Sequence, residues 1–232
     1  MKARNAGGSS HATALAFVAG FVDAAAFIAL TGLFTAHVTG NFVLIGAELV
    51  TASTGVMAKL LALPVFVAAV AAARILALFL DRRDADPLPW LLAVEAALLG
   101  GFGSSGALWS PLGSPDGAAA IAVGMLAVAA MGVQNAIGRL CLVHLVPTTV
   151  MTVSVSQAVI DAMDLVLKRG DDAAQTRTRM LRLLPPIAAF AVGALCGAFG
   201  IAHLAFSCVA LPTLVLIALI LVVARQAGEP AV

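Results

Sequence analysis

Charge is what this sequence has least of. Only 11% of its 232 residues are Asp, Glu, Lys or Arg, and 62% are hydrophobic. Soluble domains typically carry about 25% charged and about 45–50% apolar residues. A soluble core of this size cannot hide so much apolar side chain, because its surface needs polar cover. A soluble enzyme, a nucleic-acid-binding domain and a disordered chain are therefore excluded, and the bilayer is the natural solvent. The 13 basic and 12 acidic residues nearly cancel, so net charge implies no polyanion and no nucleic acid as partner. Cysteine is scarce too. Cys141, Cys196 and Cys208 lie in apolar stretches without CxxC spacing, which argues against a disulfide framework or a zinc site. They read as small buried hydrophobes. No Walker loop, HExxH, nucleophile elbow or dinucleotide fingerprint occurs, so neither catalysis nor a cofactor nor a bound metal is expected.

What is present is a series of long apolar runs. A hydrocarbon core needs about 20 residues of helix, and six segments qualify: 12–31, 57–80, 89–109, 117–138, 183–202 and 204–224. Asp81-Arg82-Arg83-Asp84-Ala85-Asp86-Pro87 is a charged turn, 110–117 is rich in Ser, Pro and Gly, 168–182 is a polar basic linker, and His203 marks a tight turn. The first run follows Lys2 and Arg4 and contains Asp23. It reads as a span rather than a cleavable signal.

Two shorter segments differ from the rest. Thr35-Ala36-His37-Val38-Thr39-Gly40-Asn41 precedes an apolar run, 42–50, that holds Glu48. Pro147-Thr148-Thr149-Val150-Met151-Thr152-Val153-Ser154 precedes 155–167, which holds Asp161 and Asp164. Each opens with residues that cap or break helices and continues as a short helix. They also repeat. Gly20-Phe21-Val22-Asp23-Ala24 matches Gly132-Val133-Gln134-Asn135-Ala136, Val38-Thr39-Gly40-Asn41 matches Met151-Thr152-Val153-Ser154, Glu48 falls opposite Asp161, and Pro64 falls opposite Pro185.

The expectation is an all-α polytopic membrane bundle, one transmembrane domain over 1–232. It has six full spans plus two short or broken helices, in pseudo-repeat halves 12–109 and 117–224. With six crossings, the basic residues other than Lys59 and the intramembrane Arg74 gather on the cytoplasmic side. That places the N-terminus and the 168–182 linker inside. Eight crossings would move Arg82, Arg83 and Arg139 outside. Three full spans per half make the second half inverted, an architecture recurrent in secondary transporters.

The Gly-x-x-Asp-Ala of the first span, Val38-Thr39-Gly40-Asn41, Met131-Gly132-x-Gln134-Asn135-Ala136 and the Thr/Ser-rich second segment resemble the YoaK-like family of bacterial integral membrane proteins of unknown function. The likeness runs from about Ala16 to Leu221. The chain departs from it at Thr152-Val153-Ser154, where the family often has Thr-Gly-Thr. The resemblance implies a multi-span protein of the bacterial inner membrane and supplies no substrate.

Function must then come from polar residues in apolar surroundings. Asp23 lies about 16 Å into its span, where a charge must pair, face the interior or be neutral. It is either a coupling carboxyl or a hydrogen-bonded tie between helices, and Asn135 stands at the matching place. His37, Thr39, Gly40 and Asn41, with Asp23, form the leading candidate substrate site, because a half-helix starting there would offer free N–H groups to an anion; the alternative is a helix break satisfied by its own caps. Gln134, Asn135, Thr152 and Ser154 are the second-half counterparts. Glu48 and Asp161 are further coupling or structural carboxyls. Arg74 and Glu95, at similar depth on consecutive spans, are expected to form an ion pair, the alternatives being an Arg74 that snorkels to the surface or pairs with Asp23. Ala69, Ala73 and Ala77, and Gly193 with Gly197, are small-residue stripes for close helix packing. The reading is a small secondary transporter for a small polar or anionic solute. A channel-like facilitator and a non-transporting scaffold are the alternatives, and a homo-oligomer is left open.

Overall fold

The computed structural model describes residues 8–143, 151–167 and 173–228. Lys2, Arg4, His144, Lys168, Arg169 and the 147–150 start of the second break lie outside them. Every regular element among the described residues is a helix. The helices are α1 (Gly8–Ala29), α2 (Gly40–Thr51), α3 (Val56–Asp81), α4 (Pro87–Trp109), α5 (Ala118–Leu140), α6 (Met151–Val166), α7 (Ala173–Leu204) and α8 (Ala210–Gly228). A 3₁₀ turn, Ala205–Val209, joins the last two. Five stretches are long and apolar enough to cross a membrane, the fifth being α7, the turn and α8 taken together. The protein is thus a polytopic helical bundle.

Local chemistry sets the boundaries. Asp86 caps α4, its carboxylate accepting the Leu88 N–H at 3.0 Å with Pro87 at the first helical position. Gly55, at φ +104°, makes the left-handed step that starts α3, a step costly for any residue with a Cβ. The 168–182 linker is shorter than its polarity suggests: from Ala173 onward it is the first part of α7. Ala, Gln and Arg are good helix formers, and charge alone does not end a helix.

The small-residue stripes are where the long helices meet. A Cβ placed on Gly193 would stand 2.2 Å from the Phe17 carbonyl oxygen, and one on Gly197 would stand 2.2 Å from that of Phe21. These two contacts advance together along both chains, so α1 and α7 run parallel at near backbone contact. Gly20 faces the Phe190 carbonyl in the same seam. Helix α5 meets α3 likewise, with Gly132 against Ala69 and the Phe66 carbonyl.

Two groups of contacts define the bundle's ends. His11 and Leu15 of α1, Leu88 and Leu92 of α4, Leu142 after α5, and Leu219 and Val223 of α8 line one narrow cleft. The starts of α1 and α4 and the ends of α5 and α8 therefore share one end. Arg82, Arg83, Arg139 and Arg225 lie there, joined through the parallel α7 by Arg177, Arg179 and Arg182. At the opposite end Lys59 of α3 reaches the Thr31 carbonyl beyond α1 (3.0 Å), and Asp116, ahead of α5, accepts from the N–H groups of Gly55 and Met57.

The Arg74–Glu95 pair does not form. Arg74 is exposed, while Glu95 is fully buried with no hydrogen-bond partner on either oxygen. Helix α3 packs chiefly on α5 rather than on its chain neighbour α4. Ala73 and Ala77 take the inner face of α3, and Arg74 is turned away with Ile75 and Leu78. Its long stem allows the guanidinium to run toward the bundle end.

Candidate functional site

Asp23 lies two turns before the end of α1, and the chain after α1 folds back over it. Its Oδ1 accepts three hydrogen bonds: from the Thr35 N–H (2.7 Å), the Ala36 N–H (2.8 Å) and the Thr35 hydroxyl (3.1 Å). Its Oδ2 meets Nδ1 of His37 at 2.7 Å. Asp23 and Thr35 are buried, while the His37 side chain is 39% exposed. The Asp23 hydrogen bond raises the imidazole pKa above its ordinary value, the Asp23 charge adds to this, and partial burial opposes it. The ring also packs edge-on against Phe190 of α7, centroids 5.6 Å apart. One carboxylate therefore fixes the loop after α1, and that loop carries a titratable ring onto α7.

The residues of the first break divide between two tasks. Asn41 is buried and clasps Phe34, its Oδ1 accepting the Phe34 N–H at 3.0 Å and its Nδ2 donating to the Phe34 carbonyl at 2.9 Å. Gly40 lets the Phe34 ring approach, since a Cβ would stand 3.0 Å from it. Thr39 is exposed and makes no side-chain cap. The N–H groups of Gly40, Asn41 and Phe42 donate back to the carbonyls of His37, Val38 and Thr39. The free N–H groups expected at the start of α2 are thus consumed by the turn before it, because 37–39 already coil as the helix's lead-in. Thr35 and Ala36, rather than Thr39, Gly40 and Asn41, hold Asp23.

The second-half residues are placed differently. Gln134 is fully buried and donates from Nε2 to the Leu15 carbonyl at 2.8 Å, tying α5 to α1. Asn135 is half-buried, Thr152 exposed and Ser154 buried. The structure brings none of them to Asp23.

Glu48 and Asp161 each meet a base on the next long helix. Lys59 Nζ lies 2.7 Å from Glu48 Oε1 and donates to the carbonyls of Thr31 and Gly55. Lys59 is buried, and Glu48 nearly so. Arg179 grips Asp161 through Nε at 2.8 Å and through NH2, and Gln157 donates to the same carboxylate at 2.7 Å. The Arg179 hydrogen bonds hold the Asp161 carboxyl below its ordinary range, against the effect of its own desolvation. The sequence alone assigns no site role to Thr35, Lys59, Arg179 or His11. A signal for the first latch was present: opposite charges at 48 and 59 flank a Thr51-Ala52-Ser53-Thr54-Gly55 turn.

Replacing Asp23 is expected to unmake the loop. Asp23→Ala orphans the buried Thr35 and Ala36 donors, at about 1–3 kcal/mol for each unsatisfied group. Asp23→Asn keeps one acceptor oxygen and should cost clearly less. Thermal melts of the purified variants rank them, and equal melting temperatures would contradict the geometry. The same contact predicts a pH dependence. His37 has a folded pKa above its unfolded value of about 6.5. Its stabilisation is complete below that value and is lost as pH rises through the folded one. The melting temperature should therefore fall over that window above about pH 6.5, and His37→Gln should flatten this part of the profile.

No metal-holding group of three or more His, Cys, Asp or Glu side chains occurs among the described residues. No curated protein and no solved structure matches the chain. A family model described as "Protein of unknown function (DUF1275)" matches residues 11–222, and over that length the chain belongs to the DUF1275 family.

Proposed function

We propose that the protein is a small, non-catalytic permease for a small polar or anionic solute, with the Asp23–His37 loop as its working centre. The observation that carries this reading is a titratable pair, one member buried and the other half-exposed, in the break between α1 and α2. A protonated His37 offers the break a positive charge for an anionic solute. This membership is compatible with the YoaK-like resemblance of the sequence.

The packing supports six crossings. Helix α2 starts and finishes between the end of α1 and the start of α3, which share one end of the bundle. Helix α6 does the same between α5 and α7 at the other end. The arginines then gather on one face, which the positive-inside rule places in the cytoplasm with the N-terminus. An inverted repeat is supported by matched contacts. The α1–α7 seam, Gly20 on Phe190, corresponds to the α5–α3 seam, Gly132 on Phe66. The Glu48–Lys59 latch corresponds to Asp161–Arg179, with the two latches at opposite ends. Secondary transporters built this way rock one repeat against the other. The bilayer, in bacteria the inner membrane, is the partner in this reading, which involves no nucleic acid.

One observation favours the non-transporting alternative: every oxygen of Asp23 is already engaged by its own chain. Proteoliposome uptake of a panel of small organic and inorganic anions, with and without an imposed pH gradient, separates the readings. Uptake that responds to the gradient and is lost in His37→Ala supports the permease. Uptake indifferent to the gradient indicates a channel-like facilitator. No uptake, and no thermal stabilisation by any solute of the panel, sinks transport.

A further inference from the structure

Glu95 lies in α4, one turn past Leu92, and is completely enclosed. Neither carboxyl oxygen has a hydrogen-bond partner. The contrast with most other buried polar groups, the unpartnered Ser154 hydroxyl excepted, is chemical. Asp23, Asn41, Lys59, Gln134 and Asp161 each bind a named backbone or side-chain group, so each holds the fold together. Glu95 holds nothing, and leucine would fill its place at less cost. An ionised carboxylate without company in such surroundings is strongly disfavoured, so Glu95 carries its proton in this arrangement.

The neighbouring elements supply no counter-charge. On α3, Arg74 and Asp81 are exposed and Lys59 is committed to Glu48. Arg139 of α5 and Arg225 of α8 are exposed at the arginine-rich end. Cys208, in the 3₁₀ turn, packs against Gly200 at the other end. One titratable group does lie on the route out. Leu88, Leu92 and Glu95 follow one face of α4, and the two leucines line the narrow cleft near the arginine-rich end. His11 of α1 lines the same cleft, and its Nε2 is buried without a partner. Glu95 sits about 4.5 Å deeper along α4 than Leu92.

We propose that Glu95 is a proton-binding site served by His11. When α8 moves away from α4, so that Leu219 and Val223 part from Leu88 and Leu92, the cleft admits water. The Glu95 O–H bond then breaks to an entering water, that water passes a proton to Nε2 of a neutral His11, and the imidazolium returns it to water at the bundle end. Glu95 is reloaded by the reverse path. The site does not depend on the Asp23–His37 reading, because it uses other residues at the other end of the bundle.

Infrared difference spectroscopy tests it on the full-length protein in liposomes, with D₂O as the only probe. At neutral pH the wild type should show the C=O stretch of a protonated carboxyl that Glu95→Gln removes. Glu95→Asp should shift that band, which secures the assignment if the glutamine variant folds poorly. Transfer to D₂O should displace the band within minutes, and His11→Gln should slow that displacement by about 10²-fold, as for loss of a positioned acid–base group. A band that resists D₂O for hours, like a sealed core amide, overturns the proposal. So does a wild type without the band, or an exchange rate that His11→Gln leaves unchanged. Rapid exchange in a protein that takes up no solute would leave this site standing and remove the permease reading alone.

Discussion

Gly193→Leu and Gly197→Leu should each deplete folded protein severely, and the double variant should not accumulate. The atoms in the way are the backbone carbonyl oxygens of Phe17 and Phe21, 2.2 Å from where each Cβ would stand. A flexible side chain can swing aside, but a carbonyl inside α1 cannot move without parting the two helices. Overpacking in a well-fitted core costs about 1–3 kcal/mol even when side chains absorb it. In lipid the association of helices rests on close fit, so the loss should be at the upper end or beyond. Gly46→Leu and Gly138→Leu are the controls, since a Cβ at either position meets nothing within 4 Å. Yield of monodisperse protein and melting temperature in detergent measure both. A Gly193→Leu protein that melts with the wild type would refute the seam.

Lys59→Met should be the most damaging single loss of charge. The methionine keeps most of the volume, but Glu48 loses its cation and the carbonyls of Thr31 and Gly55 lose a donor. Removing one partner of a buried pair typically costs about 3–5 kcal/mol, much of it from the charge left behind. Adding Glu48→Gln should therefore recover part of the loss, and the double-variant cycle should be clearly non-additive. Arg179→Met should also destabilise, because the fully buried Asp161 carboxylate is then left with Gln157 alone, although the place of the 52%-exposed Arg179 side chain is open to water. Strict additivity between 48 and 59 would show that the latch is a contact without coupling.

The long helices and the polar breaks were legible because hydrophobic length and Thr, Gly and Asn report directly on local structure. So was the need of Asp23 for company, since a charge deep in a span must pair, face the interior or be neutral. Which donors it found was not legible. Thr35 and Ala36 reach it only because the loop doubles back over α1, whereas Asn41 is used within its own turn. The Arg74–Glu95 pairing failed for a related reason. It assumed that consecutive helices are neighbours, and here α3 leans on α5. His11 went unnoticed because a histidine near a chain end reads as interfacial until the ends of α4, α5 and α8 are seen around it.

The α1–α7 seam also bears on how the chain is made. Gly20 and the Phe190 it touches are 190 − 20 = 170 positions apart. At about 5–20 residues per second of synthesis, α1 waits roughly 10–30 s for its principal neighbour. Its polar requirement is met much sooner, since the groups that hold Asp23 follow it by only 12 to 14 residues. The nascent first helix can thus reside in lipid with its carboxylate already satisfied and only an apolar face uncovered. The two halves cannot mature separately. The seam closes across them, so a ribosome halted before α7 would leave an inserted but unlocked half, a natural substrate for membrane quality control.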